Sequence, residues 1–121
     1  MADEAAGDAA IRAIGDSIAL VYDAISAVKK ARLQNPSPEE DRKLVRQLAA
    51  LELQLTHLDE DMTAHIAGTR DWPGPSASQR AAIGDLMKQA EKLTTAALTQ
   101  EKAVAFATRV LALATDVAAA A

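Results

Sequence analysis

Apolar residues recur along the first half of the chain at steps of three and four. Ile11, Ile14, Ile18, Val21, Ile25 and Val28 form one such series, and Leu44, Leu48, Leu51, Leu55, Leu58 and Met62 form another. Steps averaging about 3.5 residues keep one stripe of a helix turned toward a neighbour over several turns, which the alternation of a strand cannot do. The spacing predicts two long helices packed along their lengths.

Polar punctuation sets the ends of these helices. The first runs from about Asp3 or Asp8 to Gln34, opening on acids (Asp3, Glu4, Asp8) and closing on bases (Lys29, Lys30, Arg32), the order the helix macrodipole favours. Asn35-Pro36-Ser37-Pro38 forbids continuation, while Ser37 caps a second helix with Pro38 at its first position and Glu40 completing a capping box. A loop this short returns the second helix antiparallel to the first. The second helix ends near Ala67, where Gly68 offers the left-handed conformation, and the Pro and Gly of Thr69 to Pro75 exclude a helix there. Ser76 or Ser78 then caps a third segment, with Gln79 in the box position relative to Ser76.

The stripe of that third segment moves. At about 100° per residue, Ile83, Leu86, Ala90, Leu93 and Ala97 share one face, whereas Phe106, Val110, Leu113 and Val117 centre more than a third of a turn away. Thr94, Thr95 and Thr99 weaken helix propensity at the changeover, which predicts a kink or break near Thr99. The fold class is therefore all-α: an antiparallel bundle of three long helices, the third kinked or split near Thr99 to make a four-helix bundle, in one domain over residues 1–121.

Composition narrows the function classes. At 121 residues the chain fits one core, and alanine takes the place of aromatics, which are only 2%. A net charge of -4 with so few aromatics argues against nucleic-acid binding. The absence of cysteine excludes disulfides, thiolate nucleophiles and sulfur metal ligands. The acidic start, Met-Ala-Asp-Glu, lacks the basic and apolar parts of a secretory signal, and no uninterrupted apolar run approaches the roughly 20 residues that span a bilayer. A soluble, cytoplasmic chain without a membrane partner is the expectation.

Four constellations carry candidate chemistry. His57, Asp61 and His65 stand at successive four-residue steps, so they stack along one flank and offer imidazole and carboxylate to a divalent metal; the bland alternative is a packed, hydrogen-bonded His65, and the Glu-x-x-His pairs of di-iron bundles are missing. Lys29, Lys30, Arg32, Arg42, Lys43 and Arg46 gather around the Asn35–Pro38 turn, either as a dock for an acidic partner or phosphate or as a solvated tip diluted by Glu39, Glu40 and Asp41. Trp72, the sole tryptophan, is either a partner anchor or a plug for the open end of the bundle. Phe106, Val110, Leu113 and Val117, beside Val104, Ala107, Leu111 and Ala114, are either intrachain core or a seam for a second chain.

No serine, histidine and acid fall in a triad-like pattern, and no glycine-rich phosphate loop occurs, so an enzyme is not expected. The expected function is a non-catalytic interaction module, an adaptor, chaperone or regulatory subunit. It would bind a protein partner or a second copy through Trp72, Phe106, Val110, Leu113 and Val117, without a cofactor. The alternative is a small-ligand or divalent-metal bundle using His57, Asp61 and His65.

Overall fold

The computed structural model describes residues 2–95 and 98–121, with side chains described for 8–93 and 98–121. Among these residues there are four helices and no strand: α1 (Ala2–Arg32), α2 (Pro38–Ile66), α3 (Ala77–Thr95) and α4 (Gln100–Ala120). The chain is a helical bundle, as the apolar spacing implies.

Each boundary follows from a local interaction. Asn35 takes a left-handed φ of 53° just after α1, and Pro36 follows it. Ser37 adopts an extended backbone and its Oγ accepts the Glu40 N–H at 3.2 Å, satisfying one of the orphan donors of α2. Arg32 crosses the turn to Asp41, donating from Nε at 2.9 Å, so the α1–α2 hairpin is tied as well as short. Gly68, at φ 75°, ends α2 in the conformation that a β-carbon disfavours. Ser76 and Gln79 form the reciprocal capping box: the Ser76 N–H donates to Gln79 Oε1 at 2.9 Å, and the Gln79 N–H donates to Ser76 Oγ at 3.1 Å.

The break expected near Thr99 is present. Thr99 is the N-cap of α4, with φ -107° and ψ 160°, and its Oγ1 accepts the Lys102 N–H at 3.2 Å. The split gives four helices rather than three, and it reorients the chain so that Ile83, Leu86 and Ala90 of α3 and Phe106, Val110 and Val117 of α4 all join one core. Ala97, expected on the α3 face, lies outside the described residues.

α1 and α4 form the centre, with α2 seated on both of them along one flank and α3 seated on both along the other; among the described residues no contact joins α2 to α3. The chain runs up, down, up and down. Gly74, just ahead of α3, lies against Ala9 near the start of α1, and Arg70 reaches the carbonyl of Ala121 at the end of α4. Ala10, Ala24, Ala31, Ala103 and Ala107 are fully buried, so small side chains line the facing sides of α1 and α4. Ile14, Leu20, Val21, Val28, Leu44, Leu51, Leu58, Val110 and Val117 supply the bulk. Each such side chain stabilises the fold by about 1.5–3 kcal/mol on burial. Ser17 is buried without loss because its Oγ donates to the Ala13 carbonyl at 2.8 Å.

The α2 stripe is buried unevenly. Leu44, Leu51 and Leu58, seven residues apart, are closed off completely, while Leu48, Leu55 and Met62 are half-buried because no fourth helix covers that side of α2. By length and composition Gln100–Ala120 is apolar enough to cross a bilayer, although Arg109 and Asp116 interrupt its apolar run; in this fold its apolar stripe faces the core.

Leu51→Ala or Leu58→Ala will lower the unfolding free energy by about 2–5 kcal/mol, because each empties a sealed position. Leu53→Ala, on the exposed side of the same helix, will change it by less than about 0.5 kcal/mol. Urea denaturation followed by circular dichroism measures both.

Candidate functional site

The two ends of the bundle differ in chemistry. At one end the connector of residues 67–76 crosses from α2 to α3 and is held at several points. The Thr69 N–H and Oγ1 both donate to the Ala64 carbonyl, at 2.9 and 3.1 Å. Arg70 Nη1 donates to the Ala121 carbonyl at 3.5 Å, and its Nη2 lies 3.9 Å from Asp61 Oδ1. Gly74 has φ 115° and passes so close to α1 that a β-carbon there would meet Ala9 Cβ at 3.2 Å. Trp72 is half-buried against the core and sets its ring edge toward His65, with centroids 6.2 Å apart at 62°. This geometry gives Trp72 the part of a plug while leaving some of its ring in water.

Beneath the connector lies a polar pair. Asp61 is only 6% exposed, and its Oδ2 is buried without a hydrogen-bond partner, as is Nε2 of His65 one turn further along α2. Burial pushes the Asp61 carboxyl above the usual carboxylate range, against the opposing pull of Arg70, His65 and His57.

The structure corrects the proposed metal triad. It brings Asp61 and His65 together and leaves His57 exposed, and among the described residues no group of three or more His, Asp or Glu side chains is placed to hold a metal ion. The reason is geometric. Each four-residue step turns about 40° beyond a full turn, so two steps rotate the flank by about 80° and carry its first member out of the bundle.

The α4 stripe is likewise placed inside. Phe106, Val110, Leu113 and Val117 are all buried within the chain, against the α1 side of the core, so a partner reaches them only if the bundle opens. Of the residues assigned to partner contact from sequence, Trp72 alone keeps exposed surface in the closed fold.

At the opposite end, between the first turns of α2 and α4, an open groove of about 850 Å³ is floored by Leu44, Leu98, Val104 and Ala105. Its volume falls within the range of ligand-binding clefts. Glutamines frame it. Gln34 Nε2 donates to the Leu98 carbonyl at 2.8 Å and Gln100 Nε2 donates to the Gln34 carbonyl at 3.2 Å, fixing the α3–α4 turn against the α1–α2 turn. Gln47 Nε2 donates to Thr108 Oγ1 at 3.0 Å and the Val104 carbonyl at 3.3 Å, joining α2 to α4 below the groove. Lys43, Glu40 and Glu101 stand on its rim. Sequence reasoning missed this site because Leu44 and Val104 were read only as members of helix stripes, and their meeting with Leu98 depends on tertiary packing.

Of the bases gathered at this end, Lys43 lines the groove. Arg32 is paired with Asp41 and Arg42 donates to the Pro38 carbonyl, while Lys29, Lys30, Lys43 and Arg46 are exposed and make no ion pair among the described residues. Comparison with protein-family models, with curated proteins and with solved structures finds no match, so the geometry of these two ends is what bears on function.

Asp61→Asn tests the buried carboxylate. Its raised pKa means the folded state holds the proton more tightly than the unfolded state, so its contribution is present below the unfolded value and lost as pH rises through the folded one. The variant will therefore melt at a higher temperature than the parent at pH 7, with the difference closing as the pH falls toward the usual carboxylate range. Thermal melts across that range check the sign.

Proposed function

We propose that this chain is a non-catalytic interaction module, with the groove between α2 and α4 as its contact site. The observation that carries the reading is the groove itself: Leu98, Val104 and Ala105 line it as apolar surface above the buried Leu44. A partner that inserts apolar side chains there removes this surface from water at about 25 cal/mol per Å². The floor is built on helices and held by Gln34, Gln47 and Gln100, so little ordering is needed on binding. Catalysis is not part of the reading: the Thr99 hydroxyl is engaged by the Lys102 N–H, and no histidine lines the groove to activate it.

A second reading keeps the site and changes the occupant. The volume also suits a small apolar molecule, which native mass spectrometry of the purified protein would show as a retained mass.

Ala105→Glu places a charge on the groove floor from an exposed position. Circular dichroism will show an unchanged fold, and cross-linking in native lysate will show at least one partner joined through Lys43 in the parent and lost in the variant. Retention of every partner by Ala105→Glu would contradict the groove as the contact site.

A further inference from the structure

We propose that the outer face of the α1–α2 hairpin is an interface for a second copy of this chain, laid antiparallel across it. This face is separate from the groove, which lies on the α4 side of α2.

The first support is where the exposed apolar surface falls. Two contacts fix the side on which each helix meets the other: a β-carbon at Gly15 would lie 3.6 Å from Met62 Cε, and Arg32 Nε lies 2.9 Å from Asp41 Oδ1. Tyr22 stands two turns after Gly15, and Val45 and Ile66 stand one turn after Asp41 and Met62, so all three project along this seam. Together with Leu33 at the hairpin tip they are four of the six large apolar side chains exposed among the described residues. Beneath them Ile18, Leu48, Leu55 and Met62 are half-buried. Among the described residues α3 contacts α1 but not α2, so no helix bridges the outer side of the seam.

The second support is charge. The half of the hairpin nearest the Asn35 turn, residues 24–48, holds six lysines and arginines against three acids, whereas residues 8–23 and 49–66 hold one arginine against seven acids. A copy laid antiparallel sets the basic half of each hairpin on the acidic half of the other, and a single twofold axis makes both contacts; a parallel copy would set like on like. The exposed charges of the seam give the register. Asp59 lies five full turns from Asp41, so it projects on the same side of α2, and the two contacts above place it level with about Asp16 of α1. With the axis at Tyr22, Lys29 lies about 10 Å to one side and Asp59 about 9 Å to the other, which brings Lys29 of each copy beside Asp59 of the other. Glu52, level with Tyr22, gives the Tyr22 hydroxyl of the second copy a carboxylate to donate to. Arg12 comes level with the Arg32–Asp41 pair, which is neutral as a unit.

The third support is area. α1 and α2 are each about 40 Å long and about 10 Å wide, so their shared face offers about 800 Å² per copy, the size of a stable protein interface.

Sedimentation velocity of the full chain tests the interface. The parent will sediment as a dimer at about 100 μM and dissociate as salt rises. Tyr22 is 56% exposed, so Tyr22→Glu will keep the parent's circular dichroism and sediment as a monomer. Lys29→Asp and Asp59→Lys, both at exposed positions, will each raise the dimer dissociation constant at least about tenfold, and Lys29→Asp with Asp59→Lys in one chain will restore it. A parent that stays monomeric at about 100 μM, a dimer indifferent to Tyr22→Glu, or no rescue in the double variant overturns the proposal. A dimer that Ala105→Glu abolishes also overturns it, since the second copy would then sit in the groove.

Discussion

The packing of α1 against α4 is the constraint on which the rest of this bundle depends. Both helices give alanines and β-branched residues to the same interior, and both touch each of the other two helices. The four helices close into a ring in the order α1, α2, α4 and α3, and the α1–α4 diagonal is in contact as well, so among the described residues α2 and α3 stand on opposite flanks without contact. The open groove at the Asn35 end, the half-covered row of Leu48, Leu55 and Met62, and the exposed sides of α2 all follow from that separation.

The two ends are finished differently. At the Asn35 end, short connections and two glutamines, Gln34 and Gln100, fix the turns beside an open groove. At the Trp72 end, a long connector covers the interior and buries a carboxylate oxygen and an imidazole nitrogen without partners. Unpaired buried polar atoms cost about 1–3 kcal/mol each, so the plugged end carries local instability and the open end carries accessible apolar surface. Both are departures from a core optimised for stability alone, and such departures concentrate where a protein acts.

Much of this was legible in the residues. The Ser37 cap, the Ser76–Gln79 box, the stop at Gly68 and the break at Thr99 are local, set by interactions within a few positions, and each was readable from sequence. The stripe of Phe106, Val110, Leu113 and Val117 was readable as apolar but not as intrachain core, because its burial depends on where α1 lies after the chain turns at Thr99. His57 was placed with Asp61 and His65 by spacing alone, whereas the drift of a straight helix turns it out to solvent. The groove was not legible at all: Leu44 comes from the start of α2 and Leu98 and Val104 from the stretch around the α3–α4 break, and the two stretches meet only through tertiary packing.

The central claim is that α4 turns its apolar stripe into the core of its own chain, against α1 and α3. Isotope-filtered nuclear Overhauser spectroscopy on a mixture of labelled and unlabelled protein tests it most directly, reading the Phe106 ring against Ala27 and Ala90, which line the same small cavity. Contacts within single labelled chains are the predicted result. Contacts seen only between labelled and unlabelled chains would contradict the account, since α4 would then complete the core of another copy.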